Sequence, residues 1–224
     1  MQAMDSRFPK WLRTCVNKLE FLGIPNLAPL LCAMAVLAFV AKMTGGASIQ
    51  RFLFDPNLVL QGEWWRFFGF PVSDGLDNPV YLIFYVLYLY FVINALESQW
   101  GPGPLTIFLL LGYLSALAGS FLLMQPISIW FYILENVSLA FGTLFPELEM
   151  YIYFIIPVKA KWLALLAGGL ILFKFVFASL LGKLFIAITL FPYLLFFSPM
   201  LVSALRSKYR ISKNRKKFDP DSWR

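Results

Sequence analysis

Four residues stand out for the chemistry their types and spacing could carry: Glu135, Asn136 and Ser138 in one apolar run, and Lys174 in another. A serine hydroxyl becomes a nucleophile only when a base within hydrogen-bond reach takes its proton. The usual base is missing, because the 224 residues include no histidine. Lysine can act in its place when burial disfavours the ammonium, so Ser138 with Lys174 is the residual catalytic dyad. Glu135 opposes it, since a nearby carboxylate favours the charged form of lysine. The two cysteines, Cys15 and Cys32, lie before and inside the first apolar run, and nothing has zinc-ligand spacing. Neither a disulfide, a metal nor a cofactor is expected.

The elements that position these residues follow from composition. Hydrophobic residues make up 60% of the chain, aromatic residues 18% and charged residues only 14%, against about 25% charged in a soluble domain. Mean hydropathy is +0.72. A globule of this size cannot hide so much apolar surface, so lipid is its solvent. Soluble enzymes, disordered tails and secreted domains are excluded. The net charge of +7 gathers at the ends, with eight of nineteen basic residues between Arg206 and Arg224 and four between Arg7 and Lys18. That pattern marks the cytoplasmic side of a membrane rather than a nucleic-acid surface.

A hydrocarbon core of roughly 30 Å takes about 20 apolar residues as helix. Six spans are predicted: Phe21–Ala41, Asn78–Leu96, Pro104–Met124, Ile127–Phe145, Lys161–Leu181 and Leu184–Leu205, the last bent at Pro192 and Pro199. Met150–Ile156 is too short to cross and reads as an interfacial or re-entrant piece. Residues 1–24 form a basic amphipathic helix with Phe8, Trp11, Cys15, Leu19 and Leu22 on one stripe. It either lies in the headgroup plane or packs under the bundle. Residues 25–205 are then one all-α membrane domain, and 206–224 a basic cytoplasmic tail held by anionic lipid.

Fourteen of the nineteen basic residues fall on the side of the termini, which places both termini in the cytoplasm. The loop Met43–Asp77 is then extracytoplasmic, and its Trp64, Trp65, Phe67, Phe68 and Phe70 suit the outer interface. The absence of a leader and of a retention signal points to a bacterial plasma membrane. Glu135 would lie about 12 Å and Lys174 about 10 Å from the outer ends of their spans at helical rise. An ionisable residue at such depth costs roughly 2.5–3.5 kcal/mol unless paired or wet. Similar depth permits an ion pair. Alternatively Lys174 snorkels outward while Glu135 is protonated or faces water.

Three motifs, in order, carry a family resemblance. Gly62-Glu63-Trp64-Trp65-Arg66 resembles the Trp-Arg loop motif of rhomboid intramembrane proteases. Leu96-Glu97-Ser98-Gln99-Trp100-Gly101 is similar to their Glu-x-x-x-Gly signature. Ser138-Leu139-Ala140-Phe141-Gly142 stands where they carry a Gly-x-Ser-Gly nucleophile. Together with six spans and cytoplasmic ends, the likeness covers about residues 25 to 205 and implies a six-transmembrane-helix rhomboid-like bundle. It also implies folding roles for Trp65, Arg66, Glu97 and Gly101, with Gly142 as the remaining motif residue.

The departures bear on the chemistry. Rhomboids pair their serine with a histidine, which this chain lacks, and Asn136-Val137-Ser138-Leu139 loses both glycines of the nucleophile motif. The family's histidine and asparagine on span two fall on Tyr81 and Tyr85. The chain therefore resembles a rhomboid pseudoprotease, derlin-like in lacking the catalytic residues. The resemblance implies a lateral opening between spans two and five, through which the polar cluster Glu135, Asn136, Ser138 and Lys174 would meet transmembrane helices of client proteins. The alternatives are an intramembrane protease using Ser138 and Lys174, and a small transporter or lipid-handling protein built on Glu135 and Lys174. Expected partners are the bilayer and client helices, not nucleic acid.

Overall fold

Inside a bilayer every backbone polar group must be satisfied within the protein, so apolar runs of this length fold as helices. The structure, a computed structural model, describes residues 23–44, 53–68, 78–152 and 156–198. Helix α1 (Leu27–Met43) starts after Asn26, which turns the chain at φ 57. A short α2 (Pro56–Leu60) is capped by Asp55, whose side chain accepts from the Asn57 amide, and a 3₁₀ turn follows at Trp64–Phe68. Helix α3 (Pro79–Trp100) begins at Asn78, whose side chain accepts the Val80 N–H. It passes directly into α4 (Pro102–Leu123) through Gly101, whose φ of 86 suits a residue without Cβ.

After α5 (Ile129–Leu144) the chain forms two antiparallel strands, β1 (Glu149–Ile152) and β2 (Ile156–Lys159), paired from Glu149 with Lys159 to Ile152 with Ile156. Helices α6 (Ala160–Phe177), α7 (Leu180–Thr189) and α8 (Phe191–Ser198) complete the described chain. The most extended helix contacts are α1 on α3, α5 on α6, and α4 on both α7 and α5. Trp100, Phe108, Phe196 and Phe197 interlock at one end of the core, with Trp100 and Phe108 edge-on at 5.3 Å. Between α5 and α6 the helices meet at Gly142, where an added Cβ would lie 2.2 Å from the Ala164 Cβ.

This is a multi-pass, mainly helical membrane protein. Three helices, α3, α4 and α6, are long and apolar enough to cross a bilayer, and the bent pair α7–α8 makes a fourth if it counts as one span. The six predicted spans are thus met only in part. Helix α1 has 17 residues and α5 has 16, so each reaches only about 24–26 Å at 1.5 Å per residue. Asn26 shortens the first, while the turns after Met124 and at Phe145–Pro146 shorten the other. The predicted fifth span also ends early, at Phe177, because Ser179 accepts the Gly182 N–H and starts a new helix.

The bend expected at Pro192 is present, at 57° between α7 and α8. Proline has no N–H to offer the carbonyl of Ile188, so the ladder breaks there. Pro199, the helix predicted for residues 1–24 and the tail 206–224 lie outside the described residues, apart from Gly23 and Ile24, which are not helical.

A second correction concerns Met150–Ile156. Its described residues, Met150–Ile152 and Ile156, stand in paired β-strands, so a two-stranded sheet accompanies the mostly helical fold. Tyr, Ile and Val favour extended backbone, and pairing the two strands satisfies their amides in so short a segment. Glu147 secures the hairpin base, its two oxygens 2.9 Å from Lys159 Nζ and 2.6 Å from Lys161 Nζ. These bonds, first that of Lys161, hold the Glu147 carboxyl at about 2, well below its ordinary 4.5. The same contact raises the Lys159 ammonium above its usual value.

Candidate functional site

Helix α5 carries the three polar residues expected to cluster, and helical geometry separates them. Residues two apart lie about 200° apart around an α-helix. Asn136 accordingly faces the bent pair: its amide donates to the Tyr132 and Thr189 carbonyls at 2.8 Å each, and its oxygen accepts the Tyr193 N–H at 3.3 Å. Asn136 thereby braces the break between α7 and α8. Ser138 faces α3, where its hydroxyl lies 2.6 Å from the Tyr88 hydroxyl and donates to the Leu134 carbonyl at 2.7 Å. A serine has one proton to give. With that proton on Leu134, Tyr88 is the donor to Ser138.

Glu135 takes a third direction. With Lys174 it lines a cavity of about 210 Å³ between α5, α6 and α7. Among the described residues, ion pairs within 4.0 Å join Arg66 to Glu63 and Glu147 to Lys159 and Lys161, and none joins Glu135 to Lys174. The Lys174 ammonium stands instead 5.4 Å from the centre of the Phe131 ring, a cation–π placement. The expected four-residue cluster is therefore two separate bracing contacts and one shared cavity. Among the described residues no three of His, Cys, Asp and Glu gather as a metal site requires.

The motif residues act on the backbone. Arg66, 6% exposed, binds Glu63 at 2.6 Å and donates to the Leu53 carbonyl at 2.9 Å, with its guanidinium 4.9 Å from the Trp65 ring centre. The loop is docked by Tyr113, which donates to the Phe67 carbonyl at 2.6 Å, while Trp64, Trp65 and Phe68 stay exposed. Glu97 accepts the Asn26 and Leu27 amides at 2.7 and 3.1 Å, capping α1 from the far end of α3. Gly101, four residues on, donates its own amide to the Glu97 carbonyl at 2.7 Å. Of the two tyrosines in family positions, Tyr81 is exposed and Tyr85 accepts a hydrogen bond from the Trp130 indole.

The chain matches no protein-family model, no curated protein and no solved structure. The rhomboid resemblance accordingly stands on the motifs and their order. Sequence reading missed Tyr88, Phe131, Tyr132 and Thr189, which complete the surroundings of Ser138, Lys174, Glu135 and Asn136. Tyr132 had a signal, standing three residues before Glu135 on one helix face. Tyr88 and Thr189 had none, since their contacts join residues about fifty positions apart.

Proposed function

We propose that this protein is a non-catalytic, rhomboid-like membrane protein that binds transmembrane segments of client proteins. The observation that carries the reading is the relation of α3 to α6. Both pack on α5, yet they share no extended contact with each other. Helix α6 buries only Ala160 and Ile171, leaving Leu165, Leu166, Leu172 and Phe173 exposed. An apolar helix from another protein fits such a gap, bounded by Phe91 on one side and α6 on the other.

In this reading α1 and α5 are short spans, α7–α8 is one broken span, and both termini face the cytoplasm of a bacterial plasma membrane. Spans shorter than the bilayer thin it locally, which favours entry of imperfectly apolar client helices. Three features support the absence of catalysis: the chain has no histidine, the Ser138 proton is directed at the Leu134 carbonyl, and Lys174 stands over Phe131 rather than being bonded to Ser138.

The test is site-specific photocrosslinking in membranes, with the crosslinker at Phe91 on α3, at Leu165 on α6, and at Leu37 on α1 as a remote control. Single-span proteins should crosslink at Phe91 and Leu165 and not at Leu37. Self-crosslinks alone, or equal capture at all three positions, would sink the proposal. Labelling by a fluorophosphonate serine probe that vanishes in Ser138→Ala would instead reinstate a protease.

A further inference from the structure

The cavity between α5, α6 and α7 has a composition that the binding of apolar helices does not use. Its walls include Tyr132, Glu135, Lys174, Ala178, Phe185 and Thr189, and it measures about 210 Å³. That is many times the roughly 10–15 Å³ one water needs, and below the roughly 300–1,000 Å³ of drug-sized sites. The space suits a molecule the size of an amino acid.

The charges suit one class of such molecules. One carboxylate and one ammonium, from different helices, border the same space and do not pair within 4.0 Å. Among the described residues no hydrogen-bond donor reaches the Glu135 carboxylate, and the Lys174 ammonium stands over the face of Phe131. Glu135 is half-buried and Lys174 exposed, and a molecule that carries both signs satisfies the two charges together.

Lys174 lies three residues before the end of α6, about 4.5 Å by helical rise. Ala178, in the turn that follows, also lines the cavity. Glu135 lies six residues inside α5, about 9 Å by the same rise. We infer that this pocket binds a small zwitterion, with its anionic group at Lys174 and its ammonium at Glu135. A lipid ethanolamine headgroup has the same chemistry.

The site is tested by calorimetric titration of the full chain in phosphatidylcholine nanodiscs. The probes are γ-aminobutyrate and phosphoethanolamine, with acetate and ethylamine as single-charge halves. At least one zwitterion should bind saturably, and the halves at least tenfold more weakly. Glu135→Gln and Lys174→Met should each weaken the zwitterion at least tenfold, and Ala178→Leu, which narrows the cavity and leaves both charges, should abolish binding. Failure of every zwitterion to bind, or binding unchanged in the two charge variants, overturns the inference. Repeating the titration with phosphatidylethanolamine in the disc separates the sources: competition identifies the headgroup as the ligand, and unchanged binding a free solute. Both results keep the zwitterion site, and neither depends on client helices binding elsewhere.

Discussion

Tyr88 and Ser138 are joined by a 2.6 Å hydrogen bond between α3 and α5, in which the tyrosine donates and the serine passes its own proton to the Leu134 carbonyl. Ser138 is therefore a structural link between the two helices. Ser138→Ala should destabilise the bundle by about 1–3 kcal/mol, because the Tyr88 hydroxyl loses its acceptor. Adding Tyr88→Phe should recover part of that loss, since both polar partners are then removed together. Unfolding of the single and double variants in detergent reads the difference. A double variant weaker than the sum of the singles would contradict the pairing.

Gly142 should tolerate no side chain. A Cβ there would meet the Ala164 Cβ at 2.2 Å and the Ala160 carbonyl oxygen at 2.8 Å. Gly142→Ala should cost about 1–3 kcal/mol by overpacking, and Ala164→Gly on that background should restore only part of it. The carbonyl clash remains in the rescued variant. Melting temperatures of the three proteins provide the check.

Glu97 should act through its charge and its two oxygens at the start of α1. Glu97→Ala leaves the Asn26 and Leu27 amides without acceptors, at a cost of about 0.5–2 kcal/mol, as for loss of other helix caps. Glu97→Gln keeps one oxygen and should lose less. Hydrogen exchange at those two amides should accelerate in the order Glu, Gln, Ala.

The hairpin base should respond to acid. The Glu147 carboxyl titrates near 2 instead of 4.5. A depressed folded-state value means that its contribution is full above the ordinary value, and fades as pH falls from 4.5 toward 2. The raised Lys159 value has the opposite sign, so that contribution is lost only in strong alkali. Carbon NMR of the Glu147 carboxyl should show a midpoint near 2. Lys161→Ala should raise the midpoint more than Lys159→Ala, its bond being the shorter at 2.6 Å against 2.9 Å.

Composition alone determined that this chain is a membrane protein, that its bulk is helical, and that its 224 residues offer no imidazole, because these follow from residue types and hydrophobic length. Helix positions were legible to within a few residues at α3, α4 and α5, where proline, asparagine and glycine punctuate the apolar runs. Helical period could also have separated Asn136 from Ser138, since it fixes which residues of one helix share a face. It does not say what that face meets. That Ser138 meets Tyr88, that Asn136 braces Thr189 and Tyr193, that Glu97 caps a helix seventy residues earlier, and that Glu135 and Lys174 share a cavity without touching were decided by packing. Equal depth on neighbouring helices is a one-dimensional estimate, whereas an ion pair also needs the two side chains to converge in azimuth. Only the three-dimensional arrangement of α5, α6 and α7 brings both charges to one cavity, with no ion pair within 4.0 Å.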